Sequence, residues 1–284
     1  MNIGAHLPTG KGFLSALEEA QKLDLGCLQL FSKSPRQWNA AALDEAKVAD
    51  FRAAWQQSNL SPLVIHDSYL INLAAPDETI REKSVAAMVD EIERADALGA
   101  DWLVTHCGAH VGSGEDAGLE TLAASLKRCL DATPDAKVRI ALENTAGQGT
   151  CLGGPFGHLA RVLLELNTRP YKARLGVCFD TCHAWAAGHD LVNNLDGVLD
   201  NFGSVIGFDR LAVVHLNDAK GALGGHLDRH EHIGEGAIGR EGMRAILNHE
   251  RLRDLPFILE TPDIETRLGD NIAAARGLWS SDAG

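Results

Sequence analysis

A closed (β/α)8 barrel is the fold class that this sequence predicts, on three observations. Eight short apolar runs recur along the chain, a longer amphipathic stretch follows each, and six runs end on a side chain able to hold a metal. An open, doubly wound sheet would not bring nearly all its strand ends to one point. A closed barrel does, at the C-terminal rim where barrel active sites sit. The spacing of roughly 35 residues per unit fits a barrel of about 250 residues with moderate loop insertions. No Pro/Ser/Gly linker or low-complexity segment interrupts residues 1–284, so a single α/β domain is expected.

The first run is NIGAHL (2–7), followed by CLQLF (27–31), LVIH (63–66) and WLVTH (102–106). VRIALE (138–143), RLGVCFD (174–180), LAVVH (211–215) and PFILE (256–260) complete the set. Each is short and rich in β-branched or large apolar residues, as a strand buried on both faces requires. Between them the period changes. Val85, Met88, Val89 and Ile92 recur at helical spacing in 79–98, which stops at Gly99. Leu159, Val162, Leu163 and Leu166 do the same in 157–167. The end, RGLWSSDAG, reads as a helix followed by a frayed polar tail.

Composition sets the outer bounds. Hydrophobic content of 45% and charged content of 23% are ordinary for a globular protein. No apolar stretch is long enough to cross a bilayer, so no membrane partner is expected. The opening MNIGAHLPTGKG lacks a basic leader and an apolar core, which makes a cytoplasmic location the expectation. Cys27, Cys107, Cys129, Cys151, Cys178 and Cys182 form no CxxC pair and read as reduced core residues. Cys178 and Cys182 flank Asp180, and they too read as small buried side chains. The net charge of −13 argues against nucleic acid as a partner when taken alone. Bound divalent cations are missing from that sum, so the charge weakens a nucleic-acid reading without removing it.

The strand endings carry the chemistry. His66, His106, Glu143, Asp180, His215 and Glu260 close six runs, and His183, Asp228 and His230 follow in the loops after two of them. Any one of these has an ordinary explanation, such as a capping histidine or a glutamate paired with arginine. Six buried runs ending on ionisable groups do not, because desolvating such a group without a partner is costly. Five imidazoles with four carboxylates suit zinc, manganese or iron, whereas magnesium and calcium prefer oxygen alone. At three or four donors per ion the set holds two or three metals. Three divalent ions would outweigh the four carboxylates and favour an anionic substrate such as a phosphodiester. Spacing leaves the assignment of donors to ions open. His6 is expected to hydrogen-bond in the rim rather than coordinate. His110, His158, His189, His226, His232 and His249 are expected in loops or on the surface, with His226 and His232 close enough to DRH to substitute for a ligand.

Longer motifs narrow the reading. HDSYLINLA (66–74), LENTAGQG (142–149), GVCFDTCHAWAAGHD (176–190), HLNDAK (215–220), DRHEHIGEGAIG (228–239) and ILET (258–261) resemble the endonuclease IV family, zinc-dependent apurinic/apyrimidinic endonucleases. The resemblance runs from GAH at residue 4 to ILET at 261, with the motifs in family order. It implies a TIM barrel holding three zinc ions, with manganese a substitute at some sites. Glu143 would bridge two ions, His66 and His106 completing the first, and Asp180, His215 and Glu260 the second. His183, Asp228 and His230 would hold the third. One departure is THCG (105–108), where Cys107 stands in place of an expected proline.

The implied reaction is hydrolysis of the phosphodiester 5′ to an abasic site in duplex DNA, as in base excision repair. It leaves a 3′-hydroxyl and a 5′-deoxyribose phosphate, with a metal-bound hydroxide as nucleophile. Glu260 is expected to orient or deprotonate the attacking water, and a monomer is implied. SPRQW (34–38) and DSYL (67–70) offer Arg36, Gln37, Tyr69 and Leu70 at the rim. The resemblance supports Arg36, Tyr69 and Leu70 as residues that enter the base stack at the lesion. Trp38 reads as loop packing, while Lys33, Lys220, Arg229 and Arg240 are candidate phosphate contacts. The enzymatic alternative is a metal-dependent sugar isomerase or epimerase on a similar barrel, which would need no rim aromatics for DNA. A noncatalytic damage binder with structural zinc is disfavoured, since closed structural sites are usually cysteine-rich.

Overall fold

The architecture is the expected barrel, seen in a computed structural model that describes residues 1–280. Strand β1 (Asn2–Leu7) leads to helix α1 (Phe13–Lys22), then β2 (Cys27–Phe31), α2 (Glu45–Gln57), β3 (Leu63–His66) and α3 (Glu78–Leu98). Next come β4 (Trp102–His106), α4 (Glu115–Ala132), β5 (Arg139–Glu143), α5 (Phe156–Glu165) and β6 (Leu175–Asp180). After β6 stand α6 (Thr181–Ala186), α7 (Leu195–Val205), β7 (Leu211–His215), β8 (Asp218–Ala219) and β9 (His230–Glu231). The chain finishes with α8 (Gly239–Asn248), β10 (Pro256–Leu259) and α9 (Ile264–Leu278). Eight parallel strands close in the order β1-β10-β7-β6-β5-β4-β3-β2. Of the expected polar tail, residues 281–284 lie outside the described residues. No helix among the described residues is long and apolar enough to cross a membrane.

The helices form where the sequence has start and stop chemistry. The Asp77 carboxylate accepts the Ile80 amide at the head of α3, and Gly99 ends the helix at φ 78°, a left-handed turn that glycine adopts without strain. Gly4 serves a different need. A Cβ there would collide with the Cys27 carbonyl, so the close pairing of β1 with β2 depends on a bare α-carbon.

Two departures from simple βα alternation shape the rim. DTCH is a helix rather than a loop: the Asp180 carboxylate accepts the His183 amide at 2.7 Å and starts α6 at the strand's last residue. DRH likewise enters a short antiparallel pair, β8 with β9, where Ala219 faces His230.

The core has two shells. Most of it lies between strands and helices, with Leu30, Ile65, Leu103, Leu142, Phe179 and Phe257 fully buried there. A smaller inner cluster of Cys27, Val64, Val104, Ala141, Cys178, Val213 and Ile258 fills the barrel itself. Side chains alternate along a strand, so the residue two positions further faces the same interior. Those positions are Gln29, His66, His106, Glu143, Asp180, His215 and Glu260, with His6 on β1. An apolar plug thus underlies a polar ring to which each of the eight barrel strands or its C-terminal tip contributes one side chain.

Candidate metal centre

Glu143 is the hub of that ring. It is fully buried, and its Oε2 lies 3.3 Å from His66 Nε2 and 3.3 Å from His106 Nε2. Its other oxygen lies 3.1 Å from His215 Nδ1 and 3.2 Å from His183 Nδ1. Glu260 Oε2 approaches His215 Nδ1 at 3.2 Å, and Asp180 Oδ2 lies 3.7 Å from His230 Nε2. Asp228 Oδ1 stands 3.2 Å from His183 Nε2 and 3.9 Å from His230 Nε2. The nine donors fall into three groups, each with donor atoms within 4.8 Å of one another. They are His66, His106 and Glu143; Glu143, Asp180, His215 and Glu260; and His183, Asp228 and His230. The structure therefore brings together all nine residues read from the strand endings and the loops after them.

The outward-facing ring nitrogens show how the imidazoles are held. His66 Nδ1 donates to the Asp67 carbonyl at 3.0 Å, His183 Nδ1 to the Asn144 carbonyl at 2.9 Å, and His230 Nδ1 to the Glu260 carbonyl at 2.8 Å. A carbonyl only accepts, so each of these nitrogens carries a proton, and the ring turns a bare Nε2 inward once it gives up its second one. This is the arrangement in which a metal-binding histidine is oriented by its outer neighbour. His230 Nε2 is also buried without a hydrogen-bond partner, which costs about 1–3 kcal/mol unless something satisfies it. A cation among His183, Asp228 and His230 would do so. The residues fit a divalent metal that accepts mixed nitrogen and oxygen donors.

Electrostatics point the same way. Burial opposes ionisation of Glu143, yet the His215 and His106 imidazoles outweigh it and hold the carboxyl well below the usual range. Burial also works against Glu260, and His215 again prevails. Asp228 falls to about 2 in spite of its burial, through His183. In return His66 rises to about 9 against its own desolvation, because of Glu143. His183 and His215 rise well above the ordinary value. The carboxylates thus stay charged and attract any cation offered, with protons on the imidazoles competing for the place.

Several supporting residues escaped the sequence reading. Asn217 Nδ2 donates to Asp180 Oδ2 at 2.7 Å, and its Oδ1 accepts the Glu260 amide at 2.8 Å. Asn144 Oδ1 accepts the Asp180 amide at 2.7 Å. Asp218, fully buried, gathers the amides of Gly234, Gly236, Ile238 and Gly239. These residues lie inside the LENTAGQG and HLNDAK motifs, but amides and a loop-gathering carboxylate do not stand out as ligand types. Cys178 and Cys182 do lie among donor atoms, grouped with Glu143 and His215 and with Asp180 and His230. Burial pushes the Cys178 and Cys107 thiols up to about 12, so both stay protonated. Cys107 Sγ sits 3.8 Å from the Glu143 carbonyl, where it donates weakly.

His6 hydrogen-bonds in the rim: its Nδ1 lies 3.2 Å from Glu260 Oε1 and 2.9 Å from Gln29 Nε2. Of the other histidines, His158 departs from expectation by lying on α5, while His232 lies in a loop as expected. His158 is buried and accepts the Gly153 amide, and His232 is buried against Asn271. His226 Nδ1 bonds the Ala146 carbonyl, and neither His226 nor His232 joins a donor group.

At the rim, Arg36, Gln37, Lys220, Arg229 and Arg240 are exposed and Leu70 is half-buried. Tyr69 is 63% exposed, its ring edge-on to Phe31 at 5.5 Å. Trp38 packs against the core's edge. Tyr69, His106, Gln148, Cys151 and Asp228 line a cleft of about 270 Å³ that opens beside the donors. Lys33 must be withdrawn as a phosphate contact. Its side chain is 1% exposed, and its Nζ donates to Asp90 at 2.5 Å and lies 3.6 Å from Glu91.

A family model described as a xylose isomerase-like TIM barrel matches residues 17–278. The fold and the ringed donors thus define a barrel of that class. A relative from Chloroflexus aggregans named "Probable endonuclease 4" is 44% identical over 279 residues, covering 97% of this chain and 96% of the relative. The crystal structure of endonuclease IV from Thermus thermophilus superposes with a TM-score of 0.86 at 39% identity, covering 98% of each chain. The chain belongs to the endonuclease IV family, a family of nucleases. A D-tagatose 3-epimerase-like protein matches with a TM-score of 0.71 at 19% identity, which speaks for the shared fold alone.

Proposed function

We propose that the chain hydrolyses the phosphodiester 5′ to abasic sites in duplex DNA, with three zinc ions in the three donor groups, as a step of base excision repair. The observation that carries this reading is the convergence of nine donors into three groups at one mouth of the barrel, sharing Glu143 between two of them. Bound divalent cations would supply an acidified water and screen the phosphate charge that repels a nucleophile.

The chain's own residues do the rest. Glu260 has Oε1 tied to Gln29 at 2.6 Å, leaving Oε2 turned toward His215 and the centre. There it takes a proton from the attacking water. Arg36, Tyr69 and Leu70 stand at the rim to fill the stack when the baseless sugar leaves it, with Gln37 beside them as a DNA contact; that extrusion costs less than flipping a paired nucleotide. Lys220 and Arg229 offer charge to the flanking phosphates. The chain acts as a monomer in this reading.

The test is incubation of the zinc-loaded chain with a duplex carrying one tetrahydrofuran abasic analogue, before and after chelation. Cleavage to a 3′-hydroxyl, lost with chelator and regained with zinc, is expected. An uncut duplex from fully metallated protein would overturn the proposal, and turnover of aldoses or ketoses would favour the sugar isomerase alternative.

A further inference from the structure

Gln29 is neither an imidazole nor a carboxylate, yet it occupies a place in the polar ring. It is fully buried on β2, and it touches three members of the ring at once. Its Nε2 lies 2.6 Å from Glu260 Oε1 and 2.9 Å from His6 Nδ1, and its Oε1 lies 2.8 Å from His215 Nε2. These contacts fix its orientation. An ionised carboxylate only accepts, so the amide nitrogen must face Glu260 and the amide oxygen must face His215. His215 Nε2 therefore carries the proton, and in the neutral ring Nδ1 is bare. That Nδ1 is the atom facing Glu143 Oε1 at 3.1 Å and Glu260 Oε2 at 3.2 Å.

We propose that Gln29 is a positioning residue for the middle cation group, setting both the tautomer of His215 and the oxygen that Glu260 turns inward. This deepens the metal reading above and rests on it. His66, His183 and His230 obtain the same service from backbone carbonyls, which no substitution removes. For His215 a side chain provides it. Replacing Gln29 therefore acts on the group of Glu143, Asp180, His215 and Glu260, and leaves the other two groups their outer contacts. Glutamate in its place would keep an acceptor for His215 while setting a second carboxylate against Glu260. The two halves of the role are separable.

The experiment combines tautomer and affinity measurements. Nitrogen-15 NMR of histidine-labelled wild-type protein should show His215 protonated at Nε2, with Nδ1 shifting as zinc is added. In Gln29→Leu, zinc titrated against a competing chelator should show one ion bound about 10–100-fold more weakly, as loss of an outer partner typically produces. The remaining ions should keep wild-type affinity. Gln29→Glu should restore the Nε2–H signal of His215 without restoring wild-type turnover. A zinc-loaded wild-type His215 that keeps its one proton on Nδ1 rather than Nε2 overturns the proposal even if Gln29→Leu does not fold. So does a folded Gln29→Leu that binds every ion as the wild type does. A wild-type chain that takes up no zinc would overturn the metal reading itself, and the role of Gln29 with it.

Discussion

In the proposed reading Glu260 divides its two oxygens between holding and reacting. Oε1 is satisfied by Gln29 and His6, while Oε2 faces His215. In Glu260→Gln the amide keeps the shape but cannot accept a proton, so kcat on the abasic duplex should fall by about 10²–10⁴-fold, the usual weight of a positioned base. Zinc content measured on the same sample separates this from metal loss, and full turnover with full metal would remove the role. His66 gives the pH dependence. Its pKa is raised to about 9 by Glu143, so in the metal-free chain its contribution to stability is fully present below about 6.5 and is lost as pH rises through about 9. A zinc ion bound there would have to displace that proton. Calorimetry at pH 7 in buffers of different ionisation enthalpy should show net proton release on binding, and release of none would contradict the protonated His66. Tyr69, 63% exposed, packs its ring 5.9 Å from that of His66 and belongs to none of the donor groups. Tyr69→Ala should weaken binding to the abasic duplex by roughly 5–100-fold, the range for losing about 1–3 kcal/mol of stacking, with metal content intact. Unchanged binding would take Tyr69 out of the recognition set.

At the scale of elements, the segment from Ser32 to Asp44 is fastened to α3 from beneath. Arg94 donates to the Ser32 carbonyl at 2.9 Å and to the Ala41 carbonyl at 3.0 Å, and Ser32 Oγ donates to Glu91 at 2.6 Å. Lys33 completes the network against Asp90 and Glu91, which holds the loop presenting Arg36 and Gln37. Lys33→Met leaves Glu91 buried with one cation fewer, and breaking a buried pair costs about 3–5 kcal/mol. Its melting temperature should drop, while the slope of DNA affinity against salt should stay at the wild-type value. A slope reduced by about one would restore Lys33 as a phosphate contact. Lys33 was misread because its partners lie 57 and 58 positions away, on a helix whose facing side the local pattern does not reveal. The strands were legible for the opposite reason: each is a brief apolar run, and six of the eight end on a polar residue at the same height. Gln29 shares that height but not the chemistry that drew attention to His66 or Glu260. His183 was read into a loop because the Asp180 cap that starts α6 is one of the ligand-type residues themselves.

At the scale of the whole molecule, closure of the barrel is what turns separate strand ends into one site. The same closure concentrates Glu143, Asp180, Asp228 and Glu260 at the mouth of a chain whose net charge is already −13. Such a surface repels a phosphate backbone, and exposed Lys220 and Arg229 are too few to reverse it. Divalent cations are the largest charges available and would invert the local sign. Chelation should therefore abolish binding of the abasic duplex as well as its cleavage, which a gel shift at fixed salt measures. Stability should follow by mass action. A site filled at 100 times its dissociation constant adds ~2.7 kcal/mol, and for a chain of this size that corresponds to roughly 4–5 °C in melting temperature. Thermal melts with zinc, with chelator and with zinc restored should show that drop and its reversal. A stripped chain that melts at the same temperature and binds the duplex equally well would mean that the carboxylates at the barrel mouth are balanced by protons alone.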